Sequence, residues 1–167
     1  MAGALALRGL TVLAADAAGA EGMAASRFTV AVEPDDEVDW DAVAVDVRRA
    51  LEGRIALDAR LAQRARSYRR APAGLALVAD PSVRIDNNAS GTATVVEVRA
   101  PDRIGALYRI TRALADLDLD IRSAKATTLG HEIVDAFYVQ TSDGGKVVDR
   151  DHLRELERAV LHQLSLL

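Results

Sequence analysis

The sequence predicts an α+β protein in which helices cover one face of an antiparallel sheet. Three observations lead to this class. Segments with alternating apolar residues, typical of strands, are interspersed with segments whose apolar residues recur at helical spacing. The order of these segments is nearly the same in the two halves of the chain, as in a tandem repeat. Half of the residues are apolar but only 4% are aromatic, and such small side chains suit thin layers of helix on sheet.

The second half of the chain carries a complete β-α-β-β-α unit. Its strands show alternating apolar residues, and its helices show apolar residues three and four positions apart. Gly130 and His131 are expected to turn the second strand into the third, and Asp149 or Asp151 to cap the last helix. The predicted elements are, in order, a strand over residues 94–99, a helix over 104–117, strands over 120–129 and 133–141, a turn at 143–145 and a helix.

The first half repeats this unit without its first strand and the start of its first helix. The matching pairs, each 109 positions apart with no gap, are Leu10 and Leu119, Val12 and Ile121, Phe28 and Phe137, Val30 and Val139, and Ala50 and Ala159. Since Met1 falls opposite Ile110, this copy begins inside its first helix. We therefore expect a piece of a longer protein, or a start at an internal methionine. The predicted elements are a helix tail over 2–8, strands over 10–17 and 27–32, and a helix over 39–51.

The chain is therefore divided into three segments. Between the copies, apolar residues at helical spacing predict a helix that ends at about Tyr68, before Pro72 and Gly74. Residues 83–86 predict a strand that pairs antiparallel with the first strand of the second unit and protects its open edge. The predicted segments are a truncated unit over 1–53, a helical linker over 54–81, and a second unit with its additional strand over 82–167.

Composition excludes several classes of function. With 21 basic against 25 acidic residues the net charge is −4, which gives no general electrostatic reason to bind nucleic acid or an anionic membrane. A run of arginines between Arg54 and Arg70 is better explained as a solvated helix face, because paired stacking aromatics are missing. The sequence has no cysteine and no apolar run of the ~20 residues that a membrane span needs. We expect a cytoplasmic protein.

The candidate binding site is Asp102-Arg103-Ile104-Gly105, where the first strand of the second unit meets its helix. A helix that starts near Ile104 presents unpaired N–H groups, which attract a carboxylate. Gly105 allows close approach, Asp102 can accept from an ammonium group, and Arg103 can pair with an anion. The structural alternative is that Asp102 is simply the N-cap, Gly105 relieves a packing contact and Arg103 is solvated.

The second unit, over residues 93–164, resembles an ACT domain, the small ferredoxin-like module that senses amino acids in metabolic enzymes. The residues that carry this resemblance are Val95-Val96-Glu97-Val98, Asp102-Arg103-Ile104-Gly105-Ala106-Leu107 and Val134-Asp135-Ala136-Phe137-Tyr138-Val139. The linker Val83-Arg84-Ile85-Asp86-Asn87-Asn88-Ala89-Ser90 is similar to one in the C-terminal ACT tandem of bifunctional PII uridylyltransferase/uridylyl-removing enzymes. That family usually has Pro-Gly-Leu-Leu after Asp-Arg, where this chain has Ile104, Gly105, Ala106 and Leu107.

The resemblance implies tandem ferredoxin-like ACT domains, the first lacking its first strand, with a regulatory role. Glutamine would be the ligand, and its binding would switch the catalytic domains of the parent chain between modifying and demodifying the PII nitrogen-signalling protein with UMP or AMP. The expected ligand contacts are Asp102, Arg103, Ile104, Gly105, Ala106 and Leu107, joined across the domain boundary by Asp120 and Ile121, or by the matching Thr11 and Val12. Because the first copy lacks its junction, weak or absent binding is expected. No catalytic residue, metal ligand or cofactor is predicted in this fragment.

An alternative function is a structural module without a ligand. The two strands of the truncated copy would leave an open edge, which should seek another strand. Such a module would assemble sheets, and the chain would form a homo-oligomer or pair its strand edge with a partner.

Overall fold

The computed structural model describes residues 1–20, 23–32, 37–68, 80–129 and 131–167. The helices are α1 (Ala2–Leu7), α2 (Trp40–Leu51), α3 (Leu57–Tyr68), α4 (Ala106–Asp116) and α5 (Arg150–Ser165). The strands are β1 (Thr11–Ala20), β2 (Met23–Ala31), β3 (Ser82–Asp86), β4 (Thr94–Pro101), β5 (Leu119–Lys125), β6 (Thr128–Leu129) and β7 (Glu132–Thr141). Within these ranges, no helix is both long enough and apolar enough to cross a membrane.

The described strands form one antiparallel sheet that runs through both copies of the repeat. Its order is β2-β1-β5-β7-β4-β3, and the short β6 pairs with β7. The α+β class with an antiparallel sheet is confirmed. The predicted additional strand is also confirmed, because β3 pairs antiparallel with β4, from Ser82 opposite Arg99 to Asp86 opposite Val95.

The core lies between the helices and the sheet of the second unit. Phe137 on β7 is fully buried, as expected for a core residue, and Tyr138 beside it is only half-buried. Helices α4 and α5 cover this face of the sheet and pack against each other. The other fully buried apolar residues of this cluster are Val96, Val98, Ile110, Ala113, Leu114, Val139, Val147, Leu156 and Val160. Removing this apolar surface from water stabilises the unit by roughly 25 cal/mol per Å².

The backbone repeats as well as the sequence. The pairing of β1 with β2 shifts register between Val12 and Ala14, and the pairing of β5 with β7 shifts between Ile121 and Ser123. These irregularities are 109 positions apart, the spacing of the sequence repeat. A β-bulge at the same place in both copies is a feature of the shared fold, because bulges are specific to their local strand geometry.

Several predicted elements differ from the structure. Strands β1 and β2 are longer than predicted, over 11–20 and 23–31 instead of 10–17 and 27–32. The strand predicted over 120–129 is two strands, β5 and β6, with an interruption at Ala126 and Thr127. The backbone N–H of Thr127 donates to Asp135 Oδ1 at 3.2 Å, which stabilises this break. Helix α4 begins two residues later than predicted, at Ala106. The predicted turn residue Gly130, the helix-ending Pro72 and Gly74, and Arg69 and Arg70 of the arginine run lie outside the described residues.

Helix α1 packs between the first copy of the repeat and the rest of the molecule. It contacts α2, α3 and α4. The guanidinium of Arg8, next to its C-terminus, donates from Nε to Asp46 Oδ2 on α2 at 2.8 Å, and Asp46 is buried. On the other side, Gly3 lies so close to Tyr108 on α4 that a Cβ would come within 2.8 Å of the ring. The glycine therefore permits close contact between the two helices.

Candidate functional site

The junction between β4 and α4 is a backbone turn built around Gly105. The N–H of Asp102 donates to the carbonyl of His131 at 2.8 Å, which holds the end of β4. Gly105 has φ 87°, in the left-handed region, and is the N-cap of α4. Any side chain is strained in that conformation, so the turn favours glycine.

The N-terminus of α4 is not capped by a side chain: among the described residues, none makes a hydrogen bond that caps this helix. Asp102 is therefore not the N-cap, in contrast to the structural alternative considered from the sequence. The first N–H groups of a helix have no partner within it and carry a partial positive charge. The N–H of Ala106 already donates to the carbonyl of Arg103 at 3.0 Å, so a carboxylate at this turn would accept from the N–H groups that follow in the first turn.

Helix α3 supports the junction from below. Leu61 is buried, and its Cδ1 would lie 3.5 Å from a Cβ placed on Gly105, which is ordinary van der Waals contact. The helix predicted between the two copies is present as α3, over Leu57–Tyr68. It packs under the candidate site and also contacts α1, so it connects the junction with the truncated copy.

A cavity of about 280 Å³ lies between the junction and the first copy of the repeat. Residues 102–107 form one wall, and residues 9–12, at the start of β1, form another. Asp135 and Thr128 also line it. Every residue expected at the junction, from Asp102 to Leu107, therefore borders one cavity together with Thr11 and Val12.

The other pair of expected contacts lies elsewhere. Ile121 lines a second cavity, of about 170 Å³, next to Val12, Ala15 and Ala124. Over the described part of the chain, Asp120 lines neither of these two cavities. Of the two arrangements that the sequence left open, the geometry brings the junction together with Thr11 and Val12.

The charged groups around the first cavity are arranged unevenly. The Arg103 guanidinium donates to the backbone oxygen of Leu167 at 2.9 Å. The guanidinium of Arg64 lies beside Gly9, where a Cβ would come within 2.6 Å of one of its nitrogens. Asp102 and Asp135 provide two carboxylates. The cavity therefore offers helix amides and a guanidinium as well as carboxylates.

Asp135 lines the cavity but was not among the residues that the sequence analysis expected there. It belongs to the inward-facing side of β7, with Ile133 and Phe137, and only 3% of it is exposed. Burial, reinforced by the charge of Asp102, raises the pKa of Asp135 to about 6, although the hydrogen bond from Thr127 opposes the shift. The available signal was an acidic residue at an apolar position of an alternating strand.

The described residues include no group of three or more His, Cys, Asp or Glu side chains that could hold a metal ion. The turn at Gly144 and Gly145 is built by Thr141 and Asp143: the N–H of Thr141 donates to the carbonyl of Gly145, and the N–H of Gly145 donates to Asp143 Oδ1. These contacts form the turn that was predicted at residues 143–145.

A model of the ACR9-like, ACT-like domain matches residues 82–166, about half of the chain. The match begins at the first residue of β3 and includes the junction and Asp135.

Several curated proteins are similar to longer parts of the chain. The bifunctional uridylyltransferase/uridylyl-removing enzyme of Rhodospirillum rubrum is 37% identical over 172 residues, which cover 96% of this chain and 17% of that protein. Its namesake from Caulobacter vibrioides is 44% identical over 125 residues, 75% of this chain and 11% of that protein. The one from Azospirillum brasilense is 48% identical over 85 residues, 51% and 9% of the two chains. This chain therefore spans less than a fifth of the length of these relatives. No solved structure matches it significantly.

Proposed function

Since the chain belongs to the ACR9-like family of ACT-like domains, we propose that it is the amino-acid-sensing region of a bifunctional uridylyltransferase/uridylyl-removing enzyme, with glutamine as its ligand. In this proposal residues 1–53 and 82–167 are two ACT-like units, the first truncated, and residues 54–81 link them. The chain itself carries no catalysis and acts on catalytic domains elsewhere in a longer protein, which in turn modify the PII protein.

The observation that carries the proposal is the cavity at the Asp102–Leu107 junction. It combines an uncapped helix N-terminus with carboxylates in one space of about 280 Å³. A free amino acid is a zwitterion, with an anionic and a cationic end on one carbon. Both ends would find a partner of opposite charge there, which is the usual arrangement in small polar sites.

The ligand's carboxylate is assigned to the N-terminus of α4. Gly105 has no Cβ, so the carboxylate can approach the backbone of the turn. Arg64 borders the same cavity, with its guanidinium beside Gly9 on the other wall, and adds positive charge there. The ammonium group is assigned to Asp102, and the remaining side chain of the ligand to the apolar wall formed by Ala2, Ala6, Leu10 and Val12.

Regulation follows from the position of the cavity between the two copies. One wall belongs to the second unit and the other to β1 of the first. A ligand that touches both walls favours the arrangement in which they are close together. It can shift the rest of a longer chain only by as much as its affinities for the two arrangements differ.

Titration calorimetry with L-glutamine tests the proposal. We expect weak but saturable heat with this chain, through its one junction, together with still weaker binding of L-glutamate and no binding of D-glutamine, because the chiral centre is held through both charged groups. Asp102→Asn should weaken binding, whereas Asp116→Asn, on the exposed side of α4, should not. Absence of heat with the folded chain, and with a chain extended upstream to restore the missing strand, would contradict the glutamine assignment.

A second candidate function is sheet assembly. Strand β2 is the edge strand at one end of the described sheet. Its equivalent in the second copy, β7, pairs with β4 along the edge that β2 leaves open in the described sheet. An unpaired strand edge invites another strand. Sedimentation velocity tests this function: concentration-dependent dimers that disappear when Thr29 is replaced by proline would support it. A monomer at all concentrations would contradict it.

A further inference from the structure

We propose that Asp135 is the ammonium-binding residue of the cavity, where its carboxylate, beside that of Asp102, holds the cationic amino group of a zwitterionic ligand. This inference rests on the proposed function and adds a residue and a role to it. Asp135 lies on β7, more than 25 residues beyond the junction in sequence, but borders the same cavity as Asp102.

The first observation is the unequal use of the two carboxylate oxygens. Oδ1 of Asp135 accepts from the N–H of Thr127 at 3.2 Å. Over the described part of the chain this is the one hydrogen bond made to Asp135, so Oδ2 has no donor. A carboxylate offers about four acceptor positions. Because Asp135 is on the wall of a cavity, its open acceptor positions can take a donor from a molecule bound there.

The second observation is that the fold does not need a carboxylate at this position. The residue 109 positions earlier, at the same place in the first copy, is Ser26 on β2. Both strands are formed and both are paired with their neighbours. The acid is therefore specific to the copy that has an intact junction.

The third observation concerns charge. Burying a carboxylate without a cation is unfavourable, and a second carboxylate nearby makes it more so. These two effects raise the pKa of Asp135 to about 6. The two guanidiniums on the cavity wall are placed at other groups than Asp135: Arg103 donates to the backbone oxygen of Leu167, and Arg64 lies beside Gly9. A ligand ammonium between Asp102 and Asp135 would supply the missing positive charge and donate to Oδ2.

The substitution Asp135→Asn tests the role, because the amide oxygen can still accept from Thr127. Binding of L-glutamine is compared with binding of 4-carbamoylbutanoate, which has the same chain without the amino group. We expect the variant to bind glutamine roughly ten- to a hundredfold more weakly, as for a lost charged hydrogen bond. Its affinity for 4-carbamoylbutanoate should equal that of the wild type, measured by NMR titration.

Two further variants complete the experiment. Asp149→Asn makes the same change at an exposed helix cap, where Asp149 accepts from the N–H of His152, and should leave both affinities unchanged. Asp135→Ser copies Ser26 and provides a second test if the Asn variant does not fold. If Asp135→Asn weakens both ligands equally, or neither, the ammonium role is overturned while glutamine sensing stands. If the wild type binds no glutamine, the proposed function fails and this role fails with it.

Discussion

Ala15 on β1 lies directly opposite Ala124 on β5, and the two alanines are equivalent positions of the 109-residue repeat. The flanking pairs are symmetric about this one. Ala14 faces Lys125, the equivalent of Asp16, and Asp16 faces Ser123, the equivalent of Ala14. Strands β1 and β5 are antiparallel, and Ala15 pairs with its own equivalent, Ala124. A local two-fold axis through this pair therefore relates the two strands. The junction of one copy therefore lies near the start of β1 of the other.

The turn at Gly105 gives the first prediction. Replacing Gly105 by Ala should lower the free energy of unfolding by about 1–2 kcal/mol, because φ is 87° there. Contact with Leu61 adds little, since the nearest atom lies 3.5 Å from the new Cβ. Urea unfolding measures the change. Gly91→Ala is the control, because nothing lies within 4 Å of its Cβ and its φ is not in the left-handed region. Equal stability of the two variants would contradict the assigned backbone strain.

The ion pair between Arg8 and Asp46 gives the second prediction. Arg8→Ala leaves the carboxylate of Asp46, whose side chain is 4% exposed, without its partner. We expect a loss of about 2–3 kcal/mol, less than the ~3–5 kcal/mol of a fully buried pair, because Arg8 itself is partly exposed.

The exposed pair between Arg27 and Asp16 is the control for Arg8. Its side chains are 83% and 58% exposed, so Arg27→Ala should cost less than about 1 kcal/mol. Chemical denaturation of both variants makes the comparison. An Arg8 variant as stable as the Arg27 variant would show that the pair on α2 contributes nothing specific.

The pKa of Asp135 gives the third prediction. It is raised from 3.8 to about 6 in the folded chain, chiefly by burial and further by the charge of Asp102. The group therefore stabilises the fold fully below pH 4, and this contribution is lost as the pH rises through 6. The two-unit shift corresponds to about 3 kcal/mol.

Denaturant unfolding between pH 4 and pH 8 checks this titration. The wild type should lose about 3 kcal/mol relative to Asp135→Asn across that range. Parallel pH profiles for the two proteins would mean that the carboxyl titrates normally. The Asp149→Asn variant should follow the wild type.

The buried network at Thr94 gives the fourth prediction. Thr94 Oγ1 donates to Asn87 Oδ1 at 2.6 Å and accepts from the N–H of Val147 at 2.9 Å. Thr94→Val keeps the shape but leaves both partners unpaired, so we expect a loss of about 2–3 kcal/mol. The exposed Thr92→Val is the matched control in the same denaturation experiment. A loss below 0.5 kcal/mol, the usual effect of a surface change, would contradict the role of the network.

Hydrogen bonds next to this network explain the linker that carried the family resemblance. Asp86 Oδ1 accepts from the N–H groups of Asn88 and Ala89, and Ser90 Oγ accepts from Thr92 and Ala93. The Ile-Asp-Asn-x-Ala-Ser pattern therefore specifies the turn between β3 and β4. Its role is structural, and it places the strand that leads to the junction.

Local patterns predicted most of the elements. Alternation in 94–99 and the Asp-Gly-Gly turn depend on neighbouring residues, so the sequence shows them directly. The helix start was predicted two residues early because the apolar spacing of Ile104 continues that of α4. The left-handed conformation of Gly105 is invisible in that spacing.

Long-range placement was harder to predict. The pairing of β1 with β5 joins residues more than 100 positions apart, and no local pattern specifies it. For the same reason the sequence left two arrangements of the site open, one with Thr11 and the other with Asp120. Asp135 was missed because alternation marked its strand position as part of the core, and only the fold shows that a cavity reaches it. The three-segment division of the chain stays a prediction.

The most direct test of the account is an amide NMR titration of the chain with L-glutamine. We predict that the resonances of residues 9–12 and of 103–107 shift together and saturate at one ligand concentration, because both walls of the cavity touch the same molecule. Shifts confined to one of these walls, or no shifts at all, would contradict a ligand site between the two copies.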